Sequence, residues 1–307
     1  MLQDHIAGSP VAEVLWTDLT ATDIAQALTD LGTEASRHIA QQLLAQRGFS
    51  RRKAQKSLPM GRNKDRHAQF VNIARLKQEY LDAGSPVLSI DTKRRELIGN
   101  FFREGQLYST QARLTFDHDF PKFAEGVVIP HGLYDLRLNK GYVHLGTSHD
   151  TSAFACDCME DWWWRFGLVQ YPQAEELLLL ADGGGSNSAG TNLFKMALQQ
   201  MVNRLKIRVR VAHYPPYCSK YNPIEHRLFP HLSRACKGVV FTSVGLVKRL
   251  MEKARTRTGL RVVVDILDKV YQTGLKAPKD VKKTLDLVHD DFLPKWNYCL
   301  RPQTEPK

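Results

Sequence analysis

One apolar run limits what this chain can fold into. Residues 176–181 read Glu-Leu-Leu-Leu-Leu-Ala, and Asp182 and three glycines follow at once. A short apolar run bounded by glycines is typical of a strand that is buried on both faces at the centre of a sheet. In open α/β sheets, ligands and reacting groups collect at the carboxyl ends of the strands. The run therefore predicts an α/β fold in which Asp182 lies at the functional edge of the sheet.

Two more acidic residues occupy comparable positions. Asp91 ends the apolar segment that begins at Pro86, which predicts a second strand with a carboxylate at its end. Glu225 follows Asn222 and Pro223, a pair that is typical of the N-cap and first residue of a helix. Glu225 then has two interpretations. It completes a capping box with Asn222, or its carboxylate points back to the sheet edge that holds the two aspartates.

The elements around these acids alternate in type. Apolar periodicity predicts strands at 97–102, 127–129, 142–146 and 207–211, and helices at 151–166 and 192–205. Their order matches the β-β-β-α-β-α-β-α of a ribonuclease H-like fold, in which a mixed sheet is flanked by helices. Beyond Glu225 we predict a helix at 242–254, a strand-like piece at 259–266, and then a helix with an extended tail.

Three consecutive tryptophans, Trp162 to Trp164, fall in the predicted helix 151–166. Neighbouring residues on a helix point about 100° apart, so three in a row cannot all face inward. Two of them are expected in the core and one partly exposed.

Three carboxylates that converge at one sheet edge repel one another unless cations lie among them. Two hard divalent ions with oxygen ligands, Mg²⁺ or Mn²⁺ about 3.5–4 Å apart, meet that need. One ion would activate a water or a 3′-hydroxyl, and the other would stabilise the leaving oxygen at phosphorus. Asp91, Asp182 and Glu225 are therefore the candidate catalytic and metal-binding residues. Asn187 and His226 are expected to support them.

Residues 1–65 are predicted as a small all-α module with a basic linker. We interpret Val11–Leu19, Thr22–Leu28 and Glu34–Gln46 as short helices, the second capped by Thr20 or Thr22. The inward face of the third is expected to carry Ile39, Leu43 and Leu44. Two short helices joined by a tight turn with glycine describe a helix-turn-helix, and a generic helical hairpin is the alternative.

The same region carries the candidate DNA contacts. The chain has a formal net charge of +11, and such a surplus favours a polyanionic partner, most often nucleic acid. Cations concentrated between Arg47 and Arg66 would neutralise phosphates and make binding depend on salt. The residues predicted to contact DNA are Arg37, His38, Gln41, Gln42, Arg51, Arg52, Lys53, Lys93 and Arg94.

Several other classes are disfavoured by the sequence. No run approaches 18 apolar residues, so no membrane span is expected. The N-terminus lacks the layout of a signal peptide. The five cysteines cannot all pair, and Cys156 and Cys158 are too close for the usual zinc spacing. These features predict a cytoplasmic protein with reduced thiols.

Seven ordered motifs together resemble the Rhodopirellula-type DDE transposases of bacterial insertion sequences, and the segment from Pro215 to Glu225 is also similar to mariner-like transposases. The resemblance covers about residues 10–300. The motifs are Ser89–Lys93, His118–Pro121, Tyr134–Leu136, Thr147–Thr151, Leu180–Asn187, Asn222–Glu225 and Thr256–Leu260.

The resemblance implies a function for each part of the chain. Residues 1–65 would bind the terminal repeats, 66–85 would form a connecting helix, and 86–300 would be the ribonuclease H-like catalytic domain with a C-terminal extension. It implies hydrolysis at the transposon ends, strand transfer by the freed 3′-hydroxyl, and a homo-oligomer on DNA. Members of the family usually carry another helical segment ahead of the helix-turn-helix. Because this chain starts close to that motif, a truncated copy is expected.

Two alternatives stay open at the level of sequence. A ribonuclease H-like nuclease would hydrolyse DNA without strand transfer. A truncated, non-catalytic DNA-binding protein would use the N-terminal module alone.

Overall fold

The computed structural model describes residues 6–9, 12–52, 64–184, 190–278 and 280–303, with backbone alone for residues 6–9 and 12–16. The chain divides into two compact units, Met1–Leu58 and Pro59–Lys307. Among the described residues, no helix is long and apolar enough to cross a membrane. All five cysteines are buried and free, as the sequence predicted.

The smaller unit begins with a hairpin, not a helix. Strands β1 (Ile6–Ser9) and β2 (Ala12–Thr17) pair antiparallel. The prediction of a helix at Val11–Leu19 is wrong over the described part of that segment, and so is the prediction of an all-α module. Val14, Trp16 and Thr17 are branched or aromatic residues that favour strands, and pairing with β1 realises that preference.

Helix α1 (Ala21–Asp30) follows the hairpin, and its start confirms the predicted cap. The Thr20 hydroxyl accepts from the Asp23 amide at 3.2 Å, and the Asp23 carboxylate accepts from the Thr20 amide at 2.8 Å. This reciprocal pair is a capping box. The helix ends at Leu31 and Gly32, where Gly32 takes a φ of 85°.

Helix α2 (Arg37–Gln46) starts later than predicted because Ser36 caps it, accepting from the Ile39 amide. Its inward residues are Ala40, fully buried, and Leu44, whereas Ile39 and Leu43 are more than 40% exposed. The predicted inward face is therefore wrong for Ile39 and Leu43. The small Ala40 side chain lets α2 pack closely on α1. Two packed helices do not by themselves define a helix-turn-helix, which stays a prediction.

The larger unit is built on one mixed sheet flanked by helices. In chain order its strands are β3 (Val87–Thr92), β4 (Glu96–Ile98), β5 (Gly126–Asp135), β6 (Lys140–Gly146), β7 (Glu176–Ala181), β8 (Arg208–His213), β9 (Arg261–Leu267), β10 (Leu287–His289) and β11 (Asn297–Leu300). Their spatial order is β10-β11-β8-β7-β3-β5-β6-β9, with β4 paired to β5. Strands β3, β7 and β8 are parallel, while β5 runs antiparallel between β3 and β6.

The helices of this unit close both faces of the sheet. They are α3 (Arg66–Asp82), α4 (Ser152–Trp162), the short α5 (Leu168–Gln170), α6 (Asn192–Leu205), α7 (Pro223–Arg227), α8 (Phe229–Ala235) and α9 (Val244–Met251). Helices α4 and α6 pack on one face, α7 to α9 and α3 on the other. The core order β3, β5, β6, α4, β7, α6, β8, α7 matches the ribonuclease H-like order predicted from the sequence.

Strand β7 is buried on both faces, as its composition predicted. Leu177 and Leu179 belong to the cluster under α4 and α6, while Leu178 and Leu180 meet α3 on the opposite face. The tryptophans also follow the prediction: Trp162 and Trp163 are buried and Trp164 is 50% exposed. A π-helical turn at Trp163–Gly167 continues α4.

The C-terminal part differs from the prediction of a helix with an extended tail. Beyond β9, the described residues form one short 3₁₀ turn, Val281–Thr284, and then strands β10 and β11. Strand β11 pairs antiparallel with β8 and is buried. Tyr298 and Leu300 alternate into the main core, and this period of two explains why a strand forms there.

Gly132 of β5 gives a test of how the helix bearing Glu225 is held. A Cβ there would lie 2.8 Å from Ile224 Cδ1 and 2.8 Å from Phe229 Cε1, both buried. We expect Gly132→Ala to lower the free energy of unfolding by about 1–3 kcal/mol, because the helices must shift away from the sheet. The measurement is urea unfolding. Gly126→Ala, on the same strand, meets only Ile98 at 3.9 Å and should be much milder; equal losses would contradict this account.

Candidate active site

Two of the three acids lie side by side at the ends of adjacent strands. Strands β3 and β7 are adjacent and parallel, and Ile90 is in register with Ala181. Asp91 follows Ile90 in β3, and Asp182 directly follows the end of β7. Both carboxylates therefore lie at the same carboxyl-terminal edge of the sheet. Each is half-buried.

Glu225 reaches this edge from the first turn of α7. Its carboxyl group lies close enough to Asp91 and Asp182 that its charge raises the pKa of both. The Asn222 side chain makes no capping hydrogen bond to the helix, so the capping-box interpretation of Glu225 is wrong. Ile224 fixes the helix by inserting into the core between α7 and the sheet. The structure therefore brings Asp91, Asp182 and Glu225 together.

The pKa values of Asp91 and Asp182 are both raised at this edge. Burial, followed by the charges of Asp182 and Glu225, raises the pKa of Asp91 to about 8. The Thr92 amide donates to Asp91 Oδ1 at 2.7 Å, and this hydrogen bond opposes the rise. Burial and the charge of Glu225 likewise raise the pKa of Asp182 to about 6, while a hydrogen bond from Asn222 opposes the rise. No positively charged side chain of the described residues is among the main influences on these two carboxyl groups.

The donor set fits a hard divalent cation. Carboxylate oxygens are the ligands that Mg²⁺ and Mn²⁺ prefer. No set of three or more His, Cys, Asp or Glu side chains is arranged as a ready metal site in the described part of the chain. A cation would supply the positive charge that Asp91, Asp182 and Glu225 lack.

Two neighbouring residues were missed by the sequence reasoning. Asn222 and Ser89 are both fully buried beside the acids. The Asn222 amide nitrogen donates to Asp182 Oδ1 and to the Ile90 carbonyl, each at 3.2 Å, and its oxygen accepts from the Ser89 hydroxyl. The available signal was Ser89 itself, since a polar residue within an apolar strand needs a partner.

A basic cavity begins at Thr92, the residue after Asp91 in the chain. It has a volume of about 320 Å³, and the residues along its wall include Thr92, Lys93, Arg94, Arg95 and His149. Lys93 is largely buried and forms an ion pair with Glu96, which also binds Arg103. Arg94 and Arg95 are exposed, so their charges face solvent at the rim. The predicted contact Arg94 therefore fits an anion better than Lys93 does.

The other predicted residues differ in exposure and in whether the structure describes them. In the smaller unit, the predicted DNA contacts on and after α2 are all exposed: Arg37, His38, Gln41, Gln42, Arg51 and Arg52. His226 is exposed on α7. Lys53 and Asn187 lie outside the described residues, so their predicted roles stay predictions.

The fold and this edge define an α/β protein of ribonuclease H-like order with an acidic site at the ends of its central strands. The family model described as the Rhodopirellula transposase DDE domain matches residues 1–302. The chain belongs to this family of insertion-sequence transposases, as the resemblance implied. No curated protein matches the sequence significantly.

Solved structures with a similar fold include two Mos1 complexes. The Mos1 transposase paired-end complex with left transposon end is 15% identical, with a TM-score of 0.46 over 76% of this chain and 66% of that one. The mariner Mos1 paired end complex with Mg is 14% identical, with a TM-score of 0.48 over 80% of this chain and 75% of the other. The chain spans about two thirds of the first of these.

The raised pKa values predict how stability depends on pH. The folded protein binds protons on Asp91 and Asp182 more tightly than the unfolded chain, whose carboxyl pKa is near 3.8. Stability is therefore lost as pH rises from about 4 through 6 towards 8. We expect Asp182→Asn to be more stable than wild type at pH 8 without added metal, by about 1–3 kcal/mol, because a buried uncompensated charge is removed.

Chemical unfolding at pH 5 and pH 8 measures this effect. Asp117→Asn is the control, because that side chain is 93% exposed and its charge is solvated. A gain for Asp182→Asn that is no larger than the control's would contradict the electrostatic account.

Proposed function

We propose that this transposase cuts DNA at the ends of its insertion sequence and joins the freed 3′-hydroxyl to target DNA. The observation that carries the proposal is the convergence of Asp91, Asp182 and Glu225 at one sheet edge, from segments far apart in sequence. Membership in a DDE transposase family supports it. Three carboxylates without a compensating cation at one edge are costly for folding alone, which favours a functional reason for them.

In the mechanism, Asp91, Asp182 and Glu225 would hold Mg²⁺ or Mn²⁺. When bound, such ions activate a water or a hydroxyl and stabilise the leaving oxygen at phosphorus. The chain's own groups prepare the ligands: the Thr92 amide orients Asp91, and Asn222 orients Asp182.

The DNA backbone would run past the basic rim of the cavity that begins at Thr92. Arg94 and Arg95 supply two exposed charges there, and the exposed cations of the smaller unit would bind the terminal repeats. Because the two ends of an element must be processed together, we propose that the protein acts as a homo-oligomer on DNA. The bacterial cytoplasm is the compartment in which this substrate occurs.

Cleavage in vitro tests the chemistry. DNA carrying the ends that flank this gene is incubated with Mn²⁺ and with wild type, Asp182→Asn or Glu225→Gln. We expect wild type to cut and to produce joined products, and each variant to lose at least about 100-fold in rate, because a metal ligand matters at least as much as its outer partners. Hydrolysis without joined product would instead identify a nuclease. Retained DNA binding with no cleavage by any protein would identify an inactive copy.

Salt dependence tests the basic rim. We expect Arg94→Ala/Arg95→Ala to weaken DNA binding and to lower the slope of log K against log salt by about 2, since each phosphate contact contributes about 1. The readout is a fluorescence anisotropy titration at several salt concentrations. Lys206→Asn/Arg208→Ala is the control, because it also removes two positive charges. These residues lie at or just before the start of β8, at the end of the parallel strands opposite to the acids. An equal drop for both pairs would show a non-specific charge effect and contradict a DNA path at the rim.

A further inference from the structure

The Asn222 side chain links three parts of the site that are distant in sequence. It is fully buried, it follows the loop after β8, and it immediately precedes the helix that carries Glu225. Its amide touches the end of β3 through Ser89 and Ile90, and the end of β7 through Asp182. The Asn222 side chain thus contacts the β3 residues before Asp91 and the carboxylate of Asp182. Asn222 is also the residue just before the helix that carries Glu225.

The orientation of this amide is fixed by its partners. The Ile224 amide donates to Ser89 Oγ at 2.9 Å, so the hydroxyl proton of Ser89 is directed to the Asn222 oxygen. The two N–H bonds of Asn222 then meet the Ile90 carbonyl and Asp182 Oδ1, each at 3.2 Å. A flipped amide would set its oxygen against a carbonyl and a carboxylate, and its NH2 group against the Ser89 hydroxyl, whose proton an NH2 group cannot accept. The hydrogen bonds from Ile224 through Ser89 and Asn222 to Asp182 therefore all donate in the same direction, towards Asp182.

This direction has a consequence for Asp182. The N–H of Asn222 occupies Oδ1, so Oδ2 is the oxygen of Asp182 that this bond leaves for another ligand. We propose that Asn222 is a positioning residue that makes Asp182 a one-oxygen ligand of the divalent cation, with Ser89 holding Asn222 in turn. The inference deepens the proposed function and rests on it.

A merely structural role for Asn222 would be to anchor α7 to β3. That role uses the bonds to Ser89 and Ile90 and would show only as a loss of stability. Positioning uses the bond to Asp182 and must also change how the protein binds a cation. Metal affinity therefore separates the two roles, because outer partners of metal ligands typically contribute 10–100-fold to it.

The experiment measures Mn²⁺ binding to the full chain without DNA by isothermal titration calorimetry. We expect Asn222→Ala to bind Mn²⁺ about 10–100-fold more weakly than wild type, and Ser89→Ala to show a smaller loss, since Asn222 keeps its bond to Asp182 but loses its anchor. Gln199→Ala is the matched control. Gln199 is also a buried amide with three hydrogen bonds, to Asn203, Arg301 and Asp286, on helix α6 away from the acids. Its affinity should stay within about twofold of wild type.

The outcomes are distinct. Wild-type affinity in folded Asn222→Ala and Ser89→Ala overturns the positioning role and leaves the proposed function intact. If Asn222→Ala does not fold, Ser89→Ala and its affinity decide the question. If wild type binds no Mn²⁺, the proposed function fails, and the inference, which rests on it, fails with it.

Discussion

Repulsion among three carboxylates is the constraint on which this structure depends. Parallel pairing of β3 with β7 sets Asp91 beside Asp182, and α7 adds Glu225. The sheet must be rigid enough to hold like charges at one edge, and it achieves this by burying β7 on both faces under helices. Folding thus opposes the electrostatic cost of the site with hydrophobic burial elsewhere.

Helix α7 is held in place by contacts outside the helix. It has five residues, too few for a helix to be stable alone, so contacts outside the helix must hold it. Ile224 packs into the core above Gly132, and Asn222 ties the start of the helix to β3 and Asp182. The position of Glu225 is therefore set by packing on one side and by hydrogen bonds on the other. A glycine on β5 leaves the space that this packing needs.

The sequence predicted the elements whose signals are local. Apolar runs located β3 and β7 with their terminal aspartates, and the periodicity of 192–205 matched α6 to the residue. The part played by Asn222 could not be read in this way, because its partner Ser89 is 133 residues away and its local pattern also describes a helix cap. The N-terminal hairpin and strand β11 were missed for a related reason, since strand pairing depends on a distant partner. The side of α2 that faces inward was misjudged by one residue, because Ala40 rather than Ile39 allows close packing.

Strand β11 has a consequence for the order in which the protein is completed during synthesis. The sheet edge at β8 stays unpaired until residues 297–300 arrive, and the Trp296 carbonyl accepts from the His213 amide just before that strand. The Trp296 ring also lies against Gly183, next to Asp182. A nascent chain on the ribosome therefore exposes an open strand edge at β8 until residues 297–300 emerge. A chain that stalls before residue 297 would keep that edge exposed and would be prone to aggregate.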